Sequence, residues 1–243
     1  MTTRRLGPTW VGMEGIFGGY VLAAAVDAAV LEGYRPLSVT LGFVSTVQPG
    51  EVDMQVEEVH RGRSTASLRI VMVQDGRLRA HCVVSMVRAG GEPCWEPQVD
   101  PTQWGTPEQS PVLVPNHRPL PYMDNLDLRR IGVDTMADGA AAWVCATTES
   151  GVELNPYARI ALYLDVLPPG LFSLESRPTF IPSLEMTAHF STRAALASAP
   201  EEWFAVRNKT MWSSKEYCVD ECTLHNRAGT LVAQLRQGRA VRW

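Results

Sequence analysis

Between Val21 and Leu31 the chain reads Val-Leu-Ala-Ala-Ala-Val-Asp-Ala-Ala-Val-Leu, with Asp27 as its one charge. Alanine and leucine favour helix, and a helix without a polar face must be covered on all sides. The rest of the chain therefore has to wrap this segment. Gly18 and Gly19 stand where the helix begins. Lacking Cβ atoms, they let another group approach the backbone closely. The first N–H groups of a helix have no internal partner and carry partial positive charge. The pair therefore reads either as a tight turn into the helix or as a place to polarise a carbonyl.

The segments C-terminal to this helix can do the wrapping. Leu37 to Val47 alternates, with Leu37, Val39, Leu41 and Phe43 on one face, which predicts a strand. Further strands are predicted over Val52–Val59, Ser64–Gln74 and Arg77–Arg88, with turns at Pro49-Gly50, Arg61-Gly62-Arg63 and Asp75-Gly76. Between Gly90 and Pro121, prolines 93, 97, 101, 107, 111, 115, 119 and 121 exclude helix and central strand. Trp95 and Trp104 suggest a connector packed onto the surface. The pattern then repeats. Met123–Ile131 and Ala140–Thr148 read as strands. Asn155-Pro156 starts a second apolar helix, Tyr157–Leu167. More strands are predicted over Leu184–Phe190, Trp203–Trp212, Tyr217–His225 and Thr230–Val241. The halves match in sequence: Leu37–Phe43 parallels Leu184–Phe190, with Leu, Thr and Phe in register, and Gly76–Ala80 parallels Gly229–Ala233. The boundaries predicted are 1–89, a connector at 90–121, and 122–243.

A chain of 243 residues that is 45% hydrophobic has enough apolar side chains for a substantial core. A net charge of −4 argues against nucleic-acid binding. The first eight residues lack the apolar run of a signal peptide, and no apolar segment reaches membrane-spanning length; a cytoplasmic protein with no membrane partner is expected. Five cysteines fit free thiols. Cys218, Cys222 and His225 lie close together, but a structural zinc site needs four ligands and no second pair is present, so neither metal nor cofactor is expected. Ser64 lacks the strand–turn–helix setting of a nucleophile elbow.

Helix then meander, twice, is the pattern of an α+β double hotdog, two tandem repeats each with a central helix wrapped by an antiparallel sheet. Ile16–Ala29 resembles the opening helix of the acyl-CoA thioesterase II-like family, and Gly62–Ala66 with Val73–Arg77 resembles its first hairpin. Ser183–Phe190, Glu202-Trp203 and Gly229–Gly238 resemble its second half. The resemblance implies hydrolysis of acyl-CoA thioesters, a place in lipid metabolism, and pairing into homodimers or higher homo-oligomers. It also implies a catalytic carboxylate, a Thr or Ser, and a Gln that together activate a water. By position these fall on Glu185 (where the family usually has Asp), on Thr210, with Ser213 and Ser214 within a small register error, and on Gln237. The first-half counterparts of Glu185 and Gln237 are Ser38 and Val84, which predicts one active site per chain.

Each candidate also has a plain structural reading. Gln237 interrupts the apolar face of Leu231, Ala233 and Leu235 and needs a buried partner. Thr210 is an ordinary strand residue. Glu185 shares its parity with Thr187 and His189, so it reads equally as part of a polar sheet face. Gly18, Gly19 and Tyr20 are candidates to meet the substrate, His189 is a backup base, and Arg61 and Arg63 could meet CoA phosphates at a hairpin tip. Tyr20, Leu22, Tyr157, Leu162 and Phe172 could line an acyl tunnel or simply fill the core. A non-hydrolytic hotdog enzyme (a hydratase or dehydratase, or a pathway-specific enzyme on another substrate) and a non-catalytic acyl-CoA binder are the alternative functions.

Overall fold

The computed structural model describes residues 2–90, 94–114, 120–131, 139–147, 153–192 and 201–243. His117, Thr148 and prolines 93, 115 and 119 lie outside them. Among the described residues, eleven strands form one antiparallel sheet: β1 (Thr2–Leu6), β2 (Tyr34–Phe43), β3 (Gly50–Arg61), β4 (Thr65–Gln74), β5 (Arg77–Arg88), β6 (Leu126–Arg130), β7 (Gly139–Ala146), β8 (Ser183–Phe190), β9 (Phe204–Ser213), β10 (Tyr217–His225) and β11 (Leu231–Ala240). Their order across the sheet is β1-β3-β4-β5-β2-β8-β11-β10-β9-β7-β6. Two helices, α1 (Gly18–Ala28) and α2 (Pro156–Tyr163), accompany it. They pack on each other inside the curled sheet, in a single core cluster that takes residues from both halves. This is the α+β double hotdog expected from the sequence.

α1 is buried from Gly19 to Val26, as its lack of a polar face requires. α2 starts where Asn155-Pro156 predicts, with the Asn155 side chain accepting from the Ala158 N–H at 2.9 Å. It ends at Tyr163, four residues short of the expected Leu167. Two elements differ further from expectation. Thr2–Leu6 forms an edge strand against β3, and β2 begins at Tyr34, so that Pro36 lies within it. The connector lies on the second half, bridging Gln98 to Thr230 and Val112 to Arg129.

The repeats meet where they match in sequence. β2 and β8 pair antiparallel from Ser38↔His189 to Gly42↔Glu185, with Thr40 opposite its own counterpart Thr187. Their hydroxyls are 3.2 Å apart, and the pseudo-two-fold axis passes between them. The helices obey the same symmetry. Asp27, near the end of α1, accepts from the Asn155 N–H at 2.9 Å where α2 begins, and from Arg4 Nη1 at 2.6 Å. Asp165, just past α2, faces the Gly19 N–H where α1 begins, and pairs with Arg239. Each half thus supplies a carboxylate to the positive end of the other half's helix.

Candidate active site

Gln237, on β11, faces the interior. Across the sheet it stands opposite Met186 on one side and Asp220 on the other, and Asp220 in turn stands opposite Thr210. Side chains directly opposite in an antiparallel pair share a face, so these four form a row on the inner face. Arg239 lies two residues along from Gln237 on the same face. Its guanidinium reaches Asp165 Oδ1 at 3.2 Å, Gln237 Oε1 at 2.6 Å and Ser183 Oγ at 3.3 Å. Its Nε is 2.8 Å from Asp220 Oδ2, an ion-pair distance, although the N–H does not point along that line. Gln237 Nε2 meets Ser183 Oγ at 2.5 Å, and Thr210 Oγ1 donates to Asp220 Oδ1 at 2.7 Å. The side chains of Asp165 and Arg239 are each 6% exposed and that of Asp220 is 1% exposed. Two carboxylates and one guanidinium are buried together here, and a charge is tolerated at such depth only when paired and hydrogen-bonded.

Two β-bulges shape this cluster. Gly238 pairs with Glu185 but Arg239 pairs with Ser183, so the register slips by one residue at Leu184. The slip turns Ser183 inward although it has the parity of Glu185. A second slip, at Met211, lets Asp220 face Thr210 while Val219 faces Trp212. Bulges commonly re-aim side chains beside active sites. Asp165 is placed differently, in the segment that leaves α2. The Tyr122 hydroxyl donates to Val166 O at 3.3 Å and Asn208 Nδ2 to Pro168 O at 2.9 Å, which pins that segment on both sides of the sheet's interior. Burial pushes the Asp165 carboxyl above the usual carboxylate value. Arg239, Gln237 and the Gly19 N–H oppose that rise.

A cavity of about 620 Å³ opens onto the cluster and touches Asp165, Ser183, Arg239 and Gly18. Its other walls are largely apolar, with Phe17, Phe43, Phe172 and Ile181 contributing from both halves. Phe17 stacks on Tyr122 with ring centroids 4.0 Å apart, which stiffens one wall. Volume and lining are those of a small-molecule site, apolar with a few convergent polar groups. Gly18 is needed for the fit. A Cβ there would fall 2.8 Å from Met186 Cε and 2.9 Å from Asp165 Oδ2.

Several sequence expectations need correction. Glu185 is not in the cluster. It lies on the outer face in a row with Gly42 and Gly238, where its Oε1 accepts from the Gly238 N–H at 3.0 Å and its Oε2 from the Thr187 hydroxyl at 3.3 Å. His189, the backup base of the sequence reading, is exposed on that same outer face and does not line the cavity. Thr210 joins Asp220 behind the cluster and does not line the cavity; Ser213 and Ser214 are exposed. The inward hydroxyl at the cavity belongs to Ser183. Of the helix-start trio, Gly18 lines the cavity, Gly19 turns its N–H toward Asp165, and Tyr20 stacks on Trp10 in the core. Arg61 pairs with Glu58 at 2.6 Å on β3, Arg63 sits in the following turn, and neither lines the cavity. Of the five tunnel candidates only Phe172 reaches it. Leu22 and Leu162 are core, and Tyr157 packs edge-on against Phe190. In the first half, the positions equivalent to Gln237, Asp220 and Arg239 hold Val84, Leu68 and Met86, so the ladder there is apolar.

A double hotdog with an apolar cavity ending on buried polar groups defines a class, and solved structures share its fold. A hot dog fold protein of Alicyclobacillus acidocaldarius superposes with a TM-score of 0.78 at 19% identity, over 99% of this chain and 92% of that one. A tesB protein of Mycobacterium avium subspecies paratuberculosis gives 0.76 at 17% identity, over 99% and 91%. An acyl-CoA thioesterase II of Mycobacterium marinum gives 0.70 at 16%, over 93% and 89%. No curated protein matches the sequence. The family is shown by the sequence itself. Residues 6–89 match the acyl-CoA thioesterase N-terminal domain and residues 97–241 match the acyl-CoA thioesterase C-terminal domain. The chain belongs to the acyl-CoA thioesterase family and is a thioester hydrolase.

Proposed function

We propose that this protein hydrolyses an acyl-CoA with a largely apolar acyl group to the free acid and CoA, using Asp165 as the base with Ser183 and Gln237 beside it. The observation that carries the reading is the buried Asp165 carboxylate at the end of an apolar cavity. A carboxylate with its affinity for protons raised by burial is suited to take a proton from water. The water oxygen attacks the thioester carbonyl carbon as its proton passes to Asp165. The C–S bond then breaks, and the CoA sulfur leaves with a proton returned from Asp165. Ser183 supplies a hydrogen bond to the oxygens that move in this step, and Gln237, which lies behind the cavity wall, holds Ser183 in place. The acyl group lies along the apolar walls near Phe17, Phe43 and Phe172. Residues 122–243 carry the chemistry and residues 1–89 contribute one wall, with 90–121 between them. The enzyme acts in lipid metabolism in the cytoplasm as a homo-oligomer without nucleic-acid or membrane partners. Among the described residues, no helix is long and apolar enough to cross a membrane.

The test is thiol release from short, medium, long and aromatic acyl-CoAs. Asp165→Asn should lower kcat/KM by about 100-fold or more, the range for loss of a general base. Glu185→Gln should leave turnover near that of the wild type. Unchanged turnover in Asp165→Asn, or its loss in Glu185→Gln alone, would sink the assignment.

A further inference from the structure

The helix start at Gly18-Gly19 meets the cavity through Gly18, with the Gly19 N–H turned toward Asp165. The side chains beside it offer a further donor for the developing oxyanion, and the hydrogen-bond directions there are constrained. Arginine only donates. The Gln237 amide atom 2.6 Å from Arg239 Nη2 is therefore the oxygen, which fixes the orientation of the amide. The atom 2.5 Å from Ser183 Oγ is then the Gln237 NH₂ group, and it donates. Ser183 Oγ also faces Arg239 Nη1 at 3.3 Å, a second donor. A hydroxyl has two acceptor sites and one proton. With both acceptor sites met, Ser183 has only its O–H to offer, and the described residues give that proton no acceptor. Ser183 lines the cavity.

We propose that Arg239 is a positioning residue that, through its fork to Gln237 and Ser183, turns the Ser183 hydroxyl into the donor that receives the thioester carbonyl oxygen as it becomes an oxyanion. This rests on the reading of Asp165 as the base of a thioesterase. Asp220 belongs to the same device. Thr210 donates to Asp220, Asp220 lies against Arg239, Arg239 donates to Gln237, Gln237 donates to Ser183, and Ser183 donates to substrate. From Arg239 outward every bond runs one way, so a donor deep in the barrel sets the polarity of a hydroxyl at the cavity wall. Such preorganised donors contribute by being aimed before charge develops. The buried Asp220 carboxylate opposes the charge of Arg239 without touching the cavity.

The first half shows how the device can be removed without a hole. At the equivalent positions it packs Leu68 and Met86. Asp220→Leu with Arg239→Met copies that arrangement but takes from Asp165 its cationic partner, so this background is read for the Ser183→Ala ratio alone, once circular dichroism shows that it is folded. Arg239→Lys is the second variant. It keeps a charge between the carboxylates but lacks the fork that reaches two acceptors at once. The experiment is a coupling cycle with Ser183→Ala, read as kcat and KM on the best acyl-CoA. In the wild type, Ser183→Ala should lower kcat by about 100-fold with little change in KM, as loss of an oxyanion donor does. Ser183→Thr should restore most of it. In the Asp220→Leu/Arg239→Met background and in Arg239→Lys, Ser183→Ala should cost less than about 5-fold, because residues acting as a unit are not additive. Equal Ser183→Ala losses with and without Arg239 overturn the inference while Asp165→Asn remains inactive, leaving the thioesterase reading intact. Full turnover in Asp165→Asn overturns that reading itself, and this inference with it.

Discussion

Asp165 is the proposed base, and its setting predicts a pH dependence. Burial raises its proton affinity above the ordinary value of 3.8, with Arg239 as the largest opposing influence. The base works deprotonated, so kcat/KM should rise with pH through an inflection above that value. A pH–rate profile flat from about pH 4 upward would contradict this. Stability runs the other way. The folded state binds the Asp165 proton more tightly than the unfolded chain does, so this group's contribution falls as pH rises from the unfolded value through the folded one. The same residue shows where reading the sequence stops short. Gln237 is legible because it breaks an apolar strand face and must have a buried partner. Asp165 carries the same kind of signal, a single charge in the apolar run Ala161–Leu167, yet the sequence places it inside the expected helix Tyr157–Leu167, whereas the helix ends at Tyr163 and the segment beyond it turns the carboxylate inward. Ser183 is hidden for another reason. Alternation assigns it to the face of Glu185, and only the bulge at Leu184 separates them.

At the scale of elements, most of the fold is legible, because period-2 strands and helices without a polar face have few ways to pack. The exceptions are ends and edges. In β1, Thr2, Thr3, Arg4 and Arg5 precede Leu6, and the strand is held by pairing to β3 and by the Arg4–Asp27 ion pair, neither of which leaves a local pattern. The start of α2, by contrast, is written in Asn155-Pro156. Asn155→Ala removes the bond to the Ala158 N–H and should destabilise the protein by about 1 kcal/mol. Urea denaturation of the variant should show a lower midpoint at an unchanged slope, with turnover in native buffer little altered. A loss of turnover at full stability would instead make the start of α2 part of the catalytic machinery.

For the whole molecule, the decisive fact is that two matching halves have unequal ladders. Val84, Leu68 and Met86 stand where Gln237, Asp220 and Arg239 stand. The expected consequence is one site per chain. Titration with a non-hydrolysable acyl-CoA thioether by calorimetry should saturate at one ligand per chain, and two per chain would mean that the first half binds as well.

The crossed carboxylates at the helix starts bind the two halves to a common fate. Asp27 meets the backbone of α2, and Asp165 meets that of α1, so each repeat finishes a helix that it does not contain. A repeat produced alone would expose a helix start, a seam strand and half a cavity wall together. Two copies of the second repeat would reproduce the acidic cap twice but lose Phe17, Phe43 and Gly18 from the wall. The peptide link between the repeats therefore acts as a stoichiometric guarantee: every half that carries the buried Asp165–Arg239 cluster is born with one that does not.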